Sequence, residues 1–402
     1  MINGARWLAL GAAILLGTAG CGGAAVSGGG GDDGGGPIKI GVLATLTGPT
    51  SDVGRPYNEG MLGYVDWVNE QGGIGGREIQ ALSDDYAYEI PRAQSLYKKY
   101  KSQGVVAIQG WGTGDSEALR NDVAQDELPF MSASYAAPLA NPEESPYNFV
   151  VAPTYGDQMR VALDWIEQQG GAGTAEVAVL HNDSPFGEAP LSAGRSWIEQ
   201  QGYDVGFDAY PMPEDAANYV GLLNQAQRQG AKYIVIQNTS TPAAQVAQDI
   251  QAQNLDMQIV CLNWCSDEGF IEAAGAEAAE GHVMVQPFAT PASGKPGYEQ
   301  VARFVEANGG AIEDKGLHYA QGWYTMHVMA QAIERVIQDG QEVTGSNIKS
   351  SLEGLSVDTG GVVGGGTVDF TTESHQGAAG TNIYQVRDGA MVEIAAGARP
   401  AA

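Results

Sequence analysis

The chain has 402 residues, which is too long for one ordinary domain and suits two. It carries 48 acidic against 20 basic residues, a formal net charge of −28. A surface this acidic repels a phosphate backbone, so we expect no nucleic-acid partner.

The first 20 residues are predicted to be a signal peptide. Arg6 supplies a positive charge, and residues 7–16 form an apolar run that is too short to cross a bilayer. Small residues then precede Cys21, as in the lipobox of bacterial lipoproteins, although Thr18 stands where an aliphatic residue is usual. We expect lipidation at Cys21; an ordinary signal peptide cut nearby is the alternative.

Residues 21–36 are almost all Gly, Ala, Ser and Asp, a composition typical of a flexible coil. After the lipidated cysteine they would act as a tether. The folded body is therefore expected outside the cytoplasm (in the periplasm or on the outer face), held to the cell membrane by the lipid alone.

From residue 37 onward, short apolar strands alternate with helices. The first series has strands at 38–43, 78–83, 105–109 and 128–132, with helices at 57–71, 91–103 and from 115 or 116 to just before 128. The second series has helices at 157–169, 188–201, 217–229 and 242–254, with strands at 176–181, 204–209, 232–237 and 258–262. Continuous apolar strands separated by helices indicate parallel sheets covered on both faces. The two series predict an α/β fold of two doubly wound lobes.

Two further elements follow. Residues 318–338 have apolar side chains at helical spacing, which predicts a helix packed in a core rather than a cofactor site. The chain closes with a predicted hairpin of strands 382–386 and 391–394.

Cys261 and Cys265 are the cysteines that remain after Cys21. Outside the cell they could form a disulfide, which we predict, with two buried thiols as the alternative. They make a poor zinc site, because structural zinc takes four ligands.

Catalytic motifs are missing from the sequence. The five histidines lack metal-ligand spacing, and neither a GxSxG elbow nor a GxxxxGK[ST] phosphate loop occurs. We therefore expect no enzyme activity, metal or cofactor. An extracellular hydrolase would have to use His181 with Asp183 and Ser184, while the neighbouring acids Asp84 and Asp85 are expected to be structural or to lie at the edge of a cleft.

The glycine-rich segment 110–116 lies between a predicted strand and a predicted helix. Glycines let a ligand approach the backbone, and the start of a helix offers free N–H groups to a carboxylate. We interpret it as an anion cradle; a plain tight turn is the alternative.

Several segments together resemble the leucine/isoleucine/valine-binding branch of the type I periplasmic binding proteins, the receptors of ABC importers. They are IKIGVLATLTGPTSDVG (38–54), GMLGYVDWVNEQGGIGGREIQALSDD (60–85), VVAIQGWGTGDSEAL (105–119), LPFMSASYAAPL (128–139), VAVLHNDSPFGEAP (177–190) and AAEGHVMVQPF (278–288). The series covers nearly the whole chain after the tether, in the expected order.

The resemblance implies two lobes joined by three crossovers, which close on a ligand by a hinge. Lobe 1 would take 37–152 and 286–356, and lobe 2 would take 153–285 and 357–398. The implied ligand is a small organic molecule, either a branched-chain amino acid or a related small amide or carboxylate. The implied partners are ABC permease subunits, and a monomer is expected. The alternatives are an aromatic acid as ligand, or a sensor that reports to a signalling partner.

Ligand-binding positions follow from the same resemblance. The carboxylate loop matches Gly112, Thr113 and Gly114, a second loop matches Ser134, Tyr135 and Ala136, the covering aromatic residue matches Phe186, and a second-lobe loop matches Asn238, Thr239 and Ser240. Trp111, Tyr135, Phe186 and Trp264 would suit an apolar or aromatic ligand.

This sequence departs from the amino-acid binders of that branch at two places that grip an ammonium. It has Ala136 where a hydroxyl is common, and the neutral pair Asn263 and Trp264 where an acid is common. An α-amino acid would then need a carboxylate from elsewhere, namely Asp115, Asp183 or Asp267.

Overall fold

Two separate β-sheets divide the chain into two lobes in the computed structural model, which describes residues 35–170 and 175–401. The predicted signal peptide, Cys21 and the tether up to residue 34 lie outside the described residues. Within the described ranges, no helix is both long enough and apolar enough to cross a bilayer.

Lobe 1 begins with a five-stranded parallel sheet in the order β2-β1-β3-β4-β5. Its strands are β1 (Ile38–Ala44), β2 (Ile79–Asp85), β3 (Ala107–Gly110), β4 (Phe130–Ser132) and β5 (Asn148–Phe149). The helices between them are α1 (Ser51–Glu70), α2 (Ile90–Ser102), α3 (Thr113–Gln125) and α4 (Ala137–Ala140). Strands β1 and β3 are buried along almost their whole length, as expected of central strands with helices on both faces.

Lobe 2 repeats this alternation. Its strands are β6 (Ala175–Asn182), β7 (Val205–Met212), β8 (Tyr233–Gln237), β9 (Gln258–Cys261) and β10 (Val283–Gln286). Its helices are α5 (Tyr155–Gly170), α6 (Pro185–Glu188), α7 (Leu191–Gln201), α8 (Val220–Arg228), α9 (Ser240–Ala252), α10 (Glu268–Ala274) and α11 (Ala276–Ala279), with a 3₁₀ turn at Asn263–Cys265.

The chain then returns to lobe 1 and finally to lobe 2. The returning elements are a 3₁₀ turn (Pro291–Ser293), α12 (Tyr298–Ala307), α13 (Ile312–Gln338), α14 (Gly345–Leu352) and the small antiparallel pair β11 (Ser356–Asp358) and β12 (Thr367–Asp369). The closing hairpin of β13 (Thr381–Arg387) and β14 (Ala390–Ala398) joins the second sheet, in the order β14-β13-β10-β9-β8-β6-β7. Both the α/β fold with two doubly wound lobes and the hairpin are confirmed.

Helices α1 and α13 pack at backbone contact in lobe 1. A Cβ atom on Gly60 would lie 1.9 Å from the carbonyl oxygen of Tyr319, and one on Gly322 would lie 1.9 Å from that of Tyr57. Glycine is therefore required on both helices, and we call this pair, Gly60 and Gly322, the glycine contact.

Helix α13 contains the predicted core helix and starts earlier than expected. Its first turn at Ile312 is separated from the rest by Gly316, whose φ of 74° is not helical. The regular part therefore starts at Leu317, one residue from the predicted start. The predicted core position is confirmed, since Trp323, Met326 and Met329 are buried.

The third crossover lies later in the chain than the resemblance implied. Val357, Val368 and Phe370 belong to the hydrophobic core of lobe 1, and the N–H of Gly377 donates to the carbonyl of Val150 at 2.7 Å. The chain enters the second sheet only at β13. The stretch from 357 to about 378 therefore packs with lobe 1, because its apolar residues complete that core.

The predicted disulfide is wrong. Cys261 and Cys265 are both buried free thiols. They pack as small apolar residues in the core of lobe 2, and the Cys265 thiol lies 3.5 Å from the carbonyl oxygens of Ile236 and Leu262.

Candidate functional site

A cavity lies between the two lobes, beside the carboxyl ends of their parallel strands. Its empty volume is about 240 Å³, which includes space open to solvent. Lobe 1 contributes Thr50, Val53, Tyr88, Trp111, Gly112 and Thr113, and lobe 2 contributes Tyr155, Phe186, Thr239 and Trp264. A small solute in this space would touch both lobes at once.

Aromatic rings from both lobes form one wall of the cavity, with Trp264 at the centre. The Trp264 ring lies 4.8 Å from that of Trp111 and is stacked on Tyr135 at 5.9 Å, centroid to centroid. Its indole N–H donates to the Tyr155 hydroxyl at 2.8 Å, while Phe186 packs edge-on against the Tyr155 ring. The 3₁₀ turn after β9 thereby inserts a lobe 2 side chain into the core of lobe 1.

Hydroxyl groups and the start of α3 form the polar side. The hydroxyls of Thr113 and Ser134 share a hydrogen bond of 2.6 Å, and the Trp111 indole donates to Thr50 at 3.0 Å. Gly112 and Thr113 line the cavity where α3 begins, and their N–H groups are hydrogen-bonded to the hydroxyls of Tyr86 and Tyr88.

Three buried hydroxyls near the cavity have no hydrogen-bond partner among the described residues. They belong to Thr239, which lines the cavity, and to Tyr57 and Tyr135, whose rings pack against the lining residue Trp264. Unpaired buried hydroxyls cost free energy, which a bound polar group would recover.

Asp115 is a buried carboxyl group directly behind the cavity wall. Its Oδ1 accepts a hydrogen bond from the Tyr86 hydroxyl at 2.8 Å, and that hydroxyl accepts one from the N–H of Gly112 at 3.1 Å. Burial raises the pKa of Asp115 to about 7, against the opposing effect of the hydrogen bond from Tyr86.

The lobes touch at the edge of the cleft. The N–H of Thr241, in the first turn of α9 in lobe 2, donates to Asp52 Oδ2 of lobe 1 at 2.9 Å. A carboxylate at this position caps the helix from the opposite lobe. The N–H of Tyr155, at the start of α5, donates to the carbonyl of Tyr135 at 2.8 Å.

A second set of contacts lies where β10 leads back to lobe 1. The amide of Gln321 on α13 donates to Asn263 Oδ1 at 2.8 Å and to Gln286 Oε1 at 3.2 Å. We call Asn263, Gln286 and Gln321 the amide cluster. It joins neutral groups of both lobes at a crossover.

His318 and Asp267 form a buried ion pair beside the amide cluster. His318 Nε2 lies 2.6 Å from Asp267 Oδ2, and its Nδ1 lies 2.6 Å from Gln321 Oε1. Burial opposes the charge on His318, but the Asp267 carboxylate outweighs it and raises the pKa of the imidazole above its usual value. Burial likewise opposes ionisation of Asp267, yet the charge of His318 lowers the pKa of that carboxyl below its usual value.

Comparison with known proteins decides the family. The model of the periplasmic binding protein family matches residues 37–390. The chain belongs to this family. The leucine-, isoleucine-, valine-, threonine- and alanine-binding protein of Pseudomonas aeruginosa is 22% identical over 254 residues, which span 62% of this chain and 66% of that relative.

Solved structures share the fold of this periplasmic binding protein. A branched-chain amino acid ABC transporter protein from Thermus thermophilus with bound valine has a TM-score of 0.85 at 23% identity, over 91% of this chain and 97% of that one. An ABC transporter substrate-binding protein from Aeropyrum pernix has a TM-score of 0.84 at 26% identity, with the same coverage of both chains.

Of the residues predicted to bind ligand, six line the cavity: Trp111, Gly112, Thr113, Phe186, Thr239 and Trp264. Ser134 and Tyr135 lie directly behind them, and the N–H of Ala136 donates to the Ser134 hydroxyl at 3.4 Å. A Cβ on Gly114 would lie 3.8 Å from Pro185, so this glycine sits where the lobes meet.

The other three predicted residues make contacts within the protein. Ser240 donates to Asp267 at 2.6 Å, Asn238 Oδ1 accepts the N–H of Thr239, and Asn263 belongs to the amide cluster. They support the lobe 2 wall and are absent from the lining.

Four lining residues were not predicted to bind ligand: Thr50, Val53, Tyr88 and Tyr155. Thr50 and Val53 lie after β1, Tyr88 lies after β2, and Tyr155 begins the first helix of lobe 2. These positions, just beyond the ends of strands and at the start of lobe 2, could have been predicted from the sequence, because ligands of open α/β sheets bind beyond the carboxyl ends of strands.

The candidate catalytic residues are not assembled into a catalytic site. His181 Nδ1 lies 2.9 Å from the carbonyl of Asn182, and the Ser184 hydroxyl donates to the Asn182 side chain at 2.6 Å. Asp85 accepts hydrogen bonds from the N–H groups of Leu46 and Ala87, which gives it the expected structural role. In the described part of the chain, no three His, Cys, Asp or Glu side chains are placed to hold a metal ion.

Proposed function

We propose that this periplasmic binding protein is the extracytoplasmic receptor of an ABC importer and captures one small organic solute between its lobes. The supporting observation is the cavity, whose lining comes from both lobes. A ligand can favour the closed arrangement only through contacts that the open one lacks, and a solute bridging Thr113 and Thr239 would make such contacts.

The remaining expectations complete the proposal. Lipidation at Cys21 would hold the protein at the cell membrane, and ABC permease subunits would receive the loaded, closed form. Relatives named for branched-chain amino acids support a small apolar solute, and the aromatic wall favours an aromatic acid as the second candidate.

Calorimetry and thermal denaturation against a panel of small amino acids, aromatic acids, carboxylates and amides test the proposal. We expect at least one compound to bind with 1:1 stoichiometry, to raise the melting temperature and to reduce the radius of gyration measured by X-ray scattering. A protein that binds no member of the panel and whose scattering profile never changes would contradict the proposal.

A matched pair of variants locates the site. Thr113→Val keeps the shape of a lining side chain but removes its hydroxyl, and we expect roughly fivefold weaker binding, since a hydrogen bond contributes about 1 kcal/mol. Ser350→Ala removes an exposed hydroxyl on α14 of the same lobe, remote from the cavity lining, and should bind as the wild type does.

A further inference from the structure

The cavity presents no charged side chain among its lining residues, all of which lie within the described part of the chain. Its polar side chains are hydroxyls and two indoles, and the indole N–H groups of Trp111 and Trp264 already donate to the hydroxyls of Thr50 and Tyr155. A hydroxyl without a partner can donate to an oxygen atom of a ligand, whereas a cation buried in this lining would have no counter-charge.

The acids closest to the cavity are absent from its lining. Asp183 is exposed, and Asp52 accepts the N–H of Thr241 at the edge of the cleft. Asp267 is paired with His318, accepts from the Ser240 hydroxyl and caps α10 through the N–H of Phe270 at 2.7 Å. Its negative charge is therefore already balanced.

Asp115 comes nearest to the cavity and is still behind its wall. A Cβ on Gly112 would lie 2.3 Å from Asp115 Oδ1 and 2.9 Å from the Tyr86 hydroxyl, so the acid and the tyrosine both lie against that glycine. Its raised pKa, about 7, means that this carboxyl is only partly ionised at neutral pH. The aromatic rings that surround it, Tyr86 and Tyr88, supply no positive charge.

We propose that the solute carries no ammonium group and is a small apolar molecule whose polar head is a carboxylate or a carboxamide. Both heads share a carbonyl-type oxygen, which can accept from the unpaired hydroxyl of Thr239 on the lining and from that of Tyr135 behind it. The apolar body would lie against Trp111, Phe186 and Trp264. This inference rests on the proposed function and narrows its ligand class.

Sets of compounds that differ only in the amino group or in the polar head test the proposal that the solute carries no ammonium group. For alanine, valine, leucine and phenylalanine, the amino acid is compared by calorimetry with the acid that lacks the amino group (propanoate, 3-methylbutanoate, 4-methylpentanoate and 3-phenylpropanoate) and with the corresponding amide. We expect at least one compound without the amino group to bind, and its amino acid to bind at least about tenfold more weakly. Whichever of the acid and the amide binds more tightly identifies the polar head of the solute.

The outcomes separate the two proposals. An amino acid that binds as tightly as its counterpart without the amino group overturns the inference but leaves the receptor function standing. Failure of every compound, amino acids included, contradicts both the inference and the receptor function for this ligand range.

A charge placed in the cavity provides the reverse test. Thr239→Asp puts a carboxylate on the lining at the N-cap of α9, where aspartate is a favourable residue, so the variant should fold. We expect it to favour the amino acid over the acid by at least tenfold, which reverses the wild-type order. Thr239→Asn, an equally good N-cap without charge, should keep the wild-type order. An unchanged order in Thr239→Asp would overturn the claim that the missing counter-charge sets the preference.

Discussion

Asp115 shows how burial of one side chain can make stability depend on pH. The carboxyl group is 2% exposed, and its hydrogen bonds with the Tyr86 hydroxyl and with backbone N–H groups offset only part of the effect of burial. Its pKa of about 7 lies above the ~3.9 of an exposed aspartate. Between these two pH values the folded protein keeps a proton that the unfolded chain has lost.

The sign of the effect follows from this difference in bound protons. Stability should fall as pH rises from about 4 to about 7 and then level off, with a contribution of roughly 4 kcal/mol at most from about three pKa units. Asp115→Asn lacks this proton equilibrium, so urea unfolding at pH 5, 6, 7 and 8 should show the variant gaining stability relative to wild type as pH rises. If the free energies of unfolding of the two proteins changed with pH in parallel, the proposed titration of Asp115 would be contradicted.

At the residue scale, the sequence predicted part of the cavity and missed what depends on packing. Trp111 and Thr113 belong to a glycine-rich loop whose position after a strand was visible in the sequence. The missed Tyr88 and Tyr155 look like ordinary core tyrosines in the sequence. The cysteine pair was predicted wrongly, because spacing of four residues does not tell which way two side chains point.

At the scale of elements, the glycine contact determines how closely α1 and α13 approach. Helices usually pack with their axes 8–10 Å apart, depending on the side chains between them. Here the missing side chains at Gly60 and Gly322 allow each helix to reach the other's carbonyl groups.

Substitution at the glycine contact should therefore be costly. Gly60→Ala and Gly322→Ala would each place a methyl group 1.9 Å from a carbonyl oxygen, and we expect each to lower the free energy of unfolding by about 1–3 kcal/mol or more. Gly221→Ala is the control, since a Cβ in this position of α8 meets nothing within 4 Å. It should be neutral or stabilise by up to ~1 kcal/mol. Denaturant unfolding measures all three, and an unaffected Gly60→Ala would contradict the close packing.

Long elements with a regular apolar pattern were predictable, and short ones were not. The strands and helices from β1 to β4 and from α5 to β9 match their predicted positions within a few residues, apart from the earlier start of α1 at Ser51 and the short helix α6, which was not predicted. Short elements such as β5, α10 and β12 were missed, because two to seven residues hold too few apolar positions to show a period. They form where tertiary contacts support them.

For the whole molecule, the contacts between the lobes differ in kind at the edge and at the crossover. The edge contact is a carboxylate, Asp52, on the N–H of Thr241, whereas the crossover holds the neutral amide cluster and the buried pair of His318 and Asp267. If the lobes open as proposed, the edge contact should break, while the crossover contacts should persist because the chain passes between the lobes there.

Removing the edge contact should weaken the closed form. For Asp52→Ala we expect the dissociation constant of the best ligand to rise about two- to fivefold, because a capping carboxylate contributes on the order of 1 kcal/mol. Asp183→Ala removes another exposed carboxylate as the control and should leave affinity unchanged. Equal dissociation constants in calorimetry for Asp52→Ala and wild type would show that the contact does not contribute to closure.

The arrangement of two lobes was predictable because the alternation of strands and helices starts again after residue 150. The position of the third crossover was not, because residues 357–378 contain glycine-rich turns and short strands that a sequence can assign to either lobe. Only the packing of Val368 and Phe370 against lobe 1 decides it.

The two ends of the described chain lie on different lobes. Strand β1 opens lobe 1 at the sheet end remote from the cavity, and the N–H of Ala401 donates to Asp164 of α5 in lobe 2 at 2.8 Å. A fluorescent donor coupled ahead of Ile38 and an acceptor coupled behind Ala401 would be attached to different lobes. Their energy transfer would then follow hinge rotation in real time without any change to the interior.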